Sequence, residues 1–296
     1  MKFILTTIVV CLFSLTVDAQ SFSTLKQYED TLKVIGPKIL QSDTDSARTA
    51  NNELFSKYLQ EALSLPNSFT YPFDSVKNLS VKKSDDDVVK LYTWTQPAVG
   101  GNDYQFFGLV QLHDKKKKLF STIQLEDKHA EISRPETQRL DPKNWFGALY
   151  YQILTDKHKK KTTYTLIGWH GNNRQSTKKV IDVLNVNNNR ISFGAPVFKS
   201  GIKTQSRMIY EYNAQAVMSL KYDDKMKMIV MDHLSPSAPR LLNHFDSYGP
   251  DFTYDAFKFK KGKWYFLRDI DPRNPSSAQQ KSKRKPEPGL TPPVEK

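Results

Sequence analysis

The stretch WFGALYYQILTDKHKKKTTYTLIGW, Trp145–Trp169, decides the architecture. Two runs rich in Tyr, Ile, Leu and Thr flank a polar centre from Asp156 to Lys161. Aromatic and β-branched residues suit a pleated, half-buried surface, and a short polar centre between such runs signals a hairpin. The same order of strand, Asp-Lys turn and strand occurs in FFGLVQLHDKKKKLFSTIQL (106–125) and AVMSLKYDDKMKMIVMDHL (216–234). This echo is compatible with propeller blades or with repeated hairpins of a large sheet. Neither a WD nor a kelch signature accompanies it.

Outward from that unit the pattern persists. Strands are expected near 77–82, 88–95, 104–112, 118–125, 146–155, 162–169, 178–185, 190–198, 206–213, 216–222, 227–232, 254–259 and 263–269. The turn clusters VGGND, NVNNNR, YDDKM and FKKGKW separate them. STKKVIDVLNV reads as strand rather than helix, because Val180, Ile181 and Val183 are β-branched. Such short connections favour antiparallel hairpins over βαβ units. Residues 67–272 are therefore expected to form a mainly β domain, an antiparallel meander arranged as a large sheet, a sandwich or a propeller-like body.

Residues 20–66 read as an α-helical hairpin packed on that domain. Leu25, Tyr28, Leu32 and Ile35 recur at helical spacing after a Ser23 or Thr24 cap, and Gly36-Pro37 is expected to bend or end this helix. A second helix begins near SDTDS, carries the stripe Leu54, Phe55, Tyr58, Leu59, Ala62 and Leu63, and stops at Pro66.

Residues 1–19 have the form of a secretory signal peptide. Lys2 precedes an apolar run from Phe3 to about Leu15, and Val17 and Ala19 are small residues at the cleavage positions. The run is too short to span a membrane. Cys11 is the chain's one cysteine and falls inside this segment, so the mature chain, expected to start at Gln20, has no disulfide or thiolate chemistry. After Pro272 the sequence turns rich in Pro, Ser, Lys and Gln, and residues 273–296 read as a disordered basic tail.

The net charge is +13 and the pI near 9.5, with most of the positive charge in the folded body. For an exported protein, nucleic acid is a poor partner. An envelope protein, an acidic glycan or an anionic lipid surface fits better. The lysine runs at 115–118, 157–161 and 258–263 all fall at expected hairpin turns. If those turns share an edge they form a positive rim; the other reading is gatekeeping against edge-to-edge aggregation.

Candidate chemistry is sparse. MDHLSPSAPRLLNHFDSYGPDFTYDAF, 231–257, gathers Asp232, His233, His244 and Asp246 as candidate metal ligands, although their spacing fits no ligand signature and the prolines suggest a structured loop. LIGWHGNNRQS, 166–176, displays Trp169, His170, Asn172 and Asn173 at a sharp turn, a pattern suited to a sugar or a partner surface. No nucleophile elbow, P-loop or dinucleotide fingerprint occurs, and no cofactor is expected.

The segments FTYPFDSVKNLSV, LYTWTQPAVGG, WFGALYYQI, YTLIGWHGNN, KVIDVLNV, IYEYNAQAVMSLKYD, IVMDHLSP and YGPDFTYDAF together resemble a family of uncharacterised exported proteins of Bacteroidetes-type bacteria. The resemblance implies a Gram-negative envelope protein, periplasmic or released. It carries over no functional residue. The expectation is an exported, non-enzymatic binding protein for an envelope partner or acidic surface; the alternative is a metal-assisted hydrolase acting through Asp232–Asp255.

Overall fold

The computed structural model describes residues 2–117 and 119–272, with side chains from Ser21 onward. The tail at 273–296, the side chains of the leader at 1–19, and Lys118 lie outside the described residues.

Two helices open the chain, α1 (Lys2–Gln41) and α2 (Asp45–Ser64). Thr44 caps α2, its Oγ1 accepting from the Ala47 N–H at 3.1 Å. Contrary to expectation, α1 has no break at Ser23 or Thr24 and runs through Gly36-Pro37 to Gln41. The glycine serves contact rather than bending, since a Cβ there would strike the Asn78 side chain. In α2 the expected stripe shifts. Leu54 is exposed, whereas Asn52 is buried, its Oδ1 accepting from Trp94 Nε1 at 2.7 Å.

Fifteen strands follow among the described residues. The first sheet is a meander, β1 (Ser80–Lys83), β2 (Val89–Pro97), β3 (Tyr104–Asp114) and β4 (Leu119–Glu126). The second contains β5 (Leu149–His158), β6 (Lys161–His170) and β7 (Ser176–Asn187), with β8 (Arg190–Phe193) and β11 (Met208–Asn213) both pairing with β7. The third runs in the order β10 (Lys203–Gln205), β9 (Phe198–Ser200), β15 (Lys263–Ile270), β14 (Tyr248–Lys260), β13 (Met228–Pro236) and β12 (Leu220–Asp223). The domain is thus mainly β and antiparallel-rich, as expected. One pair departs from the rule: β9 lies parallel to β15, with Phe198 opposite Trp264. The expected strand at 190–198 divides at Gly194, whose φ of +86° lets the chain leave the second sheet for the third. At that point a Cβ would also collide with the Gln138 carbonyl.

The sheets stack in layers, and alternation along each strand shows how. On β2, Tyr92 and Trp94 face the helices, where they pack with Phe55, Leu59 and Leu109. Leu91 faces the other way, with Val110 of β3, into a core shared with Tyr150, Leu166 and Val180 of the second sheet. On β6 and β7, Ile167, Ile181 and Val183 face a third core with Ile229, Met231, Phe257 and Trp264. The order is therefore helices, first sheet, second sheet, third sheet, and no barrel closes. The middle strands β2 and β7 are buried on both faces, and so bury polar residues such as Lys90, Thr93 and Asp182 along with apolar ones.

Candidate functional site

A stack of meanders sends alternate turns to opposite ends. The β1–β2, β3–β4, β5–β6, β7–β8, β12–β13 and β14–β15 turns gather at one end. His113 Nδ1 lies 3.1 Å from the Asp87 carbonyl, which joins the β3–β4 and β1–β2 turns. The Asp85 N–H donates to Thr155 Oγ1 at 3.2 Å, joining the β1–β2 turn to β5. Gly262 backs onto the His158 ring, and Ser121 Oγ donates to Asn189 Oδ1 at 3.0 Å. The lysine turns thus share an edge. Lys115, Lys116, Lys117, Lys157, Lys159, Lys160, Lys161, Lys225, Lys227, Lys260 and Lys261 are all exposed there.

Three of these lysines stand in an unusual backbone conformation. Lys159, Lys227 and Lys261 have φ of 54°, 53° and 51°, in the left-handed region that Gly and Asn occupy most readily. The neighbouring β7–β8 turn follows the common rule, with Asn188 and Asn189 at φ 47° and 62°.

Within the rim a cleft of about 590 Å³ opens between β1, β5 and the β12–β13 hairpin. Lys82, Lys83, Lys157 and Lys227 line it together with Asp85 and Asp224, and Tyr151, Tyr222, Phe259 and Trp264 form apolar walls. Lys83 pairs with Asp87 at 2.6 Å and Lys227 with Asp224 at 3.7 Å. Lys82 and Lys157 have no acidic partner among the described residues. On the floor lies Asp156, a buried carboxyl hydrogen-bonded by Thr165 Oγ1, which itself accepts from Trp264 Nε1 at 3.0 Å. Burial pushes the Asp156 pKa up to about 7, against the opposing pull of the Thr165 and Trp264 hydrogen bonds.

The residues singled out in the sequence lie at the other end of the stack, and their polar groups are mostly occupied. His233 sits on β13, not in a loop, and its Nδ1 is 2.7 Å from Asp255 Oδ2 on β14. Its Nε2 is 4.0 Å from Asp251. Asp232 Oδ2 accepts from the Ser219 N–H at 2.7 Å and so fixes the approach to β12. His244 and Asp246 are exposed, in or next to a single 3-10 turn (Phe245–Ser247). The structure therefore groups His233 with Asp251 and Asp255 rather than with His244 and Asp246. Among the described residues, no three His, Cys, Asp or Glu side chains are placed to hold a metal ion.

The β6–β7 turn is likewise engaged. Trp169 is half-buried, edge-on to Tyr104 at 5.4 Å. His170 is fully buried between Phe106 and Phe146, not displayed as its position beside the turn suggested. Burial first, then the nearby His129 and Lys178, drive its pKa down to about 2. Its Nδ1 accepts from the Asn172 N–H at 3.0 Å, which leaves the proton on Nε2, a buried donor without a partner among the described residues. Asn172 Nδ2 donates to Ser176 Oγ and Glu211 Oε1, while its Oδ1 accepts from Lys178 Nζ at 2.7 Å. Asn173 Oδ1 accepts from the N–H groups of Gln175 and Ser176, closing the turn on itself.

Sequence reading missed Asp156 and Lys82. Asp156 stands in TDKHKKK, which looks like an ordinary solvated turn. Its surroundings include Trp264, a residue more than a hundred positions away in the chain. No protein-family model, curated protein or solved structure matches the chain.

Proposed function

We propose that this chain is an exported, non-enzymatic binding protein that engages an acidic partner of the cell envelope through the lysine rim. The observation that carries the reading is the left-handed backbone at Lys159, Lys227 and Lys261. A residue with a Cβ costs roughly 1 kcal/mol more there than Gly, and gatekeeping alone does not require a lysine at those positions. Cationic side chains held at that cost, on one edge and around one cleft, favour a surface selected for its charge. Export rests on the leader pattern of residues 1–19 and on the resemblance to exported Bacteroidetes-type proteins.

The test is binding of the purified chain to immobilised acidic polysaccharide and to anionic vesicles over a salt series. Replacing Lys115, Lys116 and Lys117 with Ser is expected to weaken binding on the order of a hundredfold, at about 1 kcal/mol per lysine near an anionic surface. Binding that ignores both the substitutions and the salt removes the reading.

A further inference from the structure

The cleft inside the rim is a different object from the rim itself. The rim lysines are exposed. The cleft is concave, walled by aromatic rings, and has a buried carboxyl at its floor. Its lining is mostly polar and charged, with the aromatic rings as the apolar part, a composition suited to a small charged ligand rather than an apolar one. Its two lysines without an acidic partner among the described residues differ in setting, Lys82 half-buried and Lys157 exposed. That uncompensated pair is the positive charge the cleft offers to an anion. Of the two other carboxylates on the lining, Asp224 is paired with Lys227, and Asp85 stands beside Lys83, whose ammonium is itself paired with Asp87.

We propose that this cleft binds the oxyanion group of a small carboxylate- or phosphate-bearing ligand, with Lys82 and Lys157 as counter-charges and the protonated Asp156 carboxyl as a hydrogen-bond donor at the floor. An ionised carboxylate cannot donate and would repel the ligand, so occupancy of the cleft is coupled to a proton on Asp156. The polar and titratable groups that share the cleft with Asp156 are Lys82, Lys83 and Asp85 from β1 and its turn, Lys157 and Tyr151 from β5, Tyr222, Asp224 and Lys227 from the β12–β13 hairpin and Trp264 from β15, with Thr165 of β6 hydrogen-bonded to it. None of the other carboxylates in this set is buried. The raised pKa of Asp156 places the switch near neutrality, within the range an exported protein meets. This inference rests on the reading of the rim as an anion-facing edge and extends it to a specific pocket.

The probes are glucuronate and dimethyl phosphate, whose single charges do not change across the range used. Binding to the full chain is followed by calorimetry and by tryptophan fluorescence, to which Trp264 on the cleft wall contributes. At about pH 5.5 one of the two anions is expected to bind, and to bind about tenfold more weakly at about pH 8.5. Which anion binds tells a carboxylate source from a phosphodiester source. Asp156→Asn retains a donor, so it is expected to keep the affinity seen at low pH and lose the pH dependence. Lys82→Ser with Lys157→Ser is expected to lose binding at both values. No binding of either anion at low pH, or an unchanged pH profile in Asp156→Asn, overturns the proposal. If the small anions fail while the acidic polysaccharide still binds in a salt-dependent way, the cleft proposal falls and the rim reading stands. Small-anion binding without polysaccharide binding gives the reverse.

Discussion

The two ends of the stack solve the same problem with different residues. At each end strands must reverse, and tight reversals call for a left-handed residue. At the end bearing the β2–β3, β6–β7 and β13–β14 turns, the turn positions go to Gly100, Gly101, Asn172 and Asn243, the types that take left-handed backbone most easily, while Phe252 at φ 67° within β14 is an exception. Most polar side chains there satisfy one another, as in Asn172 with Ser176, Glu211 and Lys178, and His233 with Asp255, with His170 Nε2 an exception. At the rim, the equivalent positions hold Lys159, Lys227 and Lys261, whose ammonium groups face solvent. One end is organised for the fold. The other gives up local backbone ease for charge, and such exchanges gather where a protein meets something else.

The largest expected effect tests the exception to this contrast, a buried group at the rim end. The folded chain holds a proton on Asp156 up to about pH 7, whereas the unfolded chain releases it near the ordinary carboxylate value of about 4. Between these values the folded state binds more protons, so stability falls as pH rises from about 4 to about 7. The full difference of about three units corresponds to roughly 4 kcal/mol. Urea denaturation at several pH values is expected to show this slope in the wild type and a flatter profile in Asp156→Asn. Equal slopes would mean that Asp156 is solvated and that the cleft floor is not what it is drawn to be.

How much of this was legible in the sequence depends on whether the cause was local. The strands around WFGALYYQILTDKHKKKTTYTLIGW follow from alternation and turn chemistry, both local, and the lysine runs marked the rim turns directly. The short β10 and the parallel pairing of β9 with β15 are set by a crossover at Gly194 that no local pattern announces. The echo among the three strand-turn-strand units is real as local grammar but uneven in the sheets. The first unit supplies the last two strands of its meander, while the other two supply β5–β6 and β12–β13. Lys90 shows the limit most clearly. In VVKLYTW it reads as the solvent-facing member of a strand, yet it is buried, its Nζ donating to the carbonyls of Ser68, Phe69 and Tyr71. Burial lowers its pKa to about 8. The partners of Lys90 and of Asp156 come from distant segments, so their roles exist only once the layers have stacked.

A smaller effect probes the far end. His233→Ala removes the partner of a buried carboxylate, Asp255, and is expected to cost about 1–3 kcal/mol in thermal or chemical denaturation. Binding to acidic polysaccharide is expected to be unchanged, because the rim is at the opposite end. If binding falls while stability holds, the division between the two ends is wrong and the His233–Asp251–Asp255 group returns as a site.

The smallest effect is also the sharpest, because its two readouts move in opposite directions. Replacing Lys159, Lys227 or Lys261 with Asn keeps the turn and places a residue better suited to left-handed backbone. Each change is expected to raise stability, by at most about 1 kcal/mol. Each also removes one positive charge from the rim and is expected to weaken polyanion binding by several-fold. A fold kept only for its own stability has no reason to hold lysine at three such positions when Asn188 and Asn189 fill the adjacent turn. If the Asn variants gain stability and lose binding, the rim is a surface that trades fold stability for contact with an anion. If they lose stability, the lysine stems pack against their neighbours, and the charge at those turns follows from structure rather than from a partner.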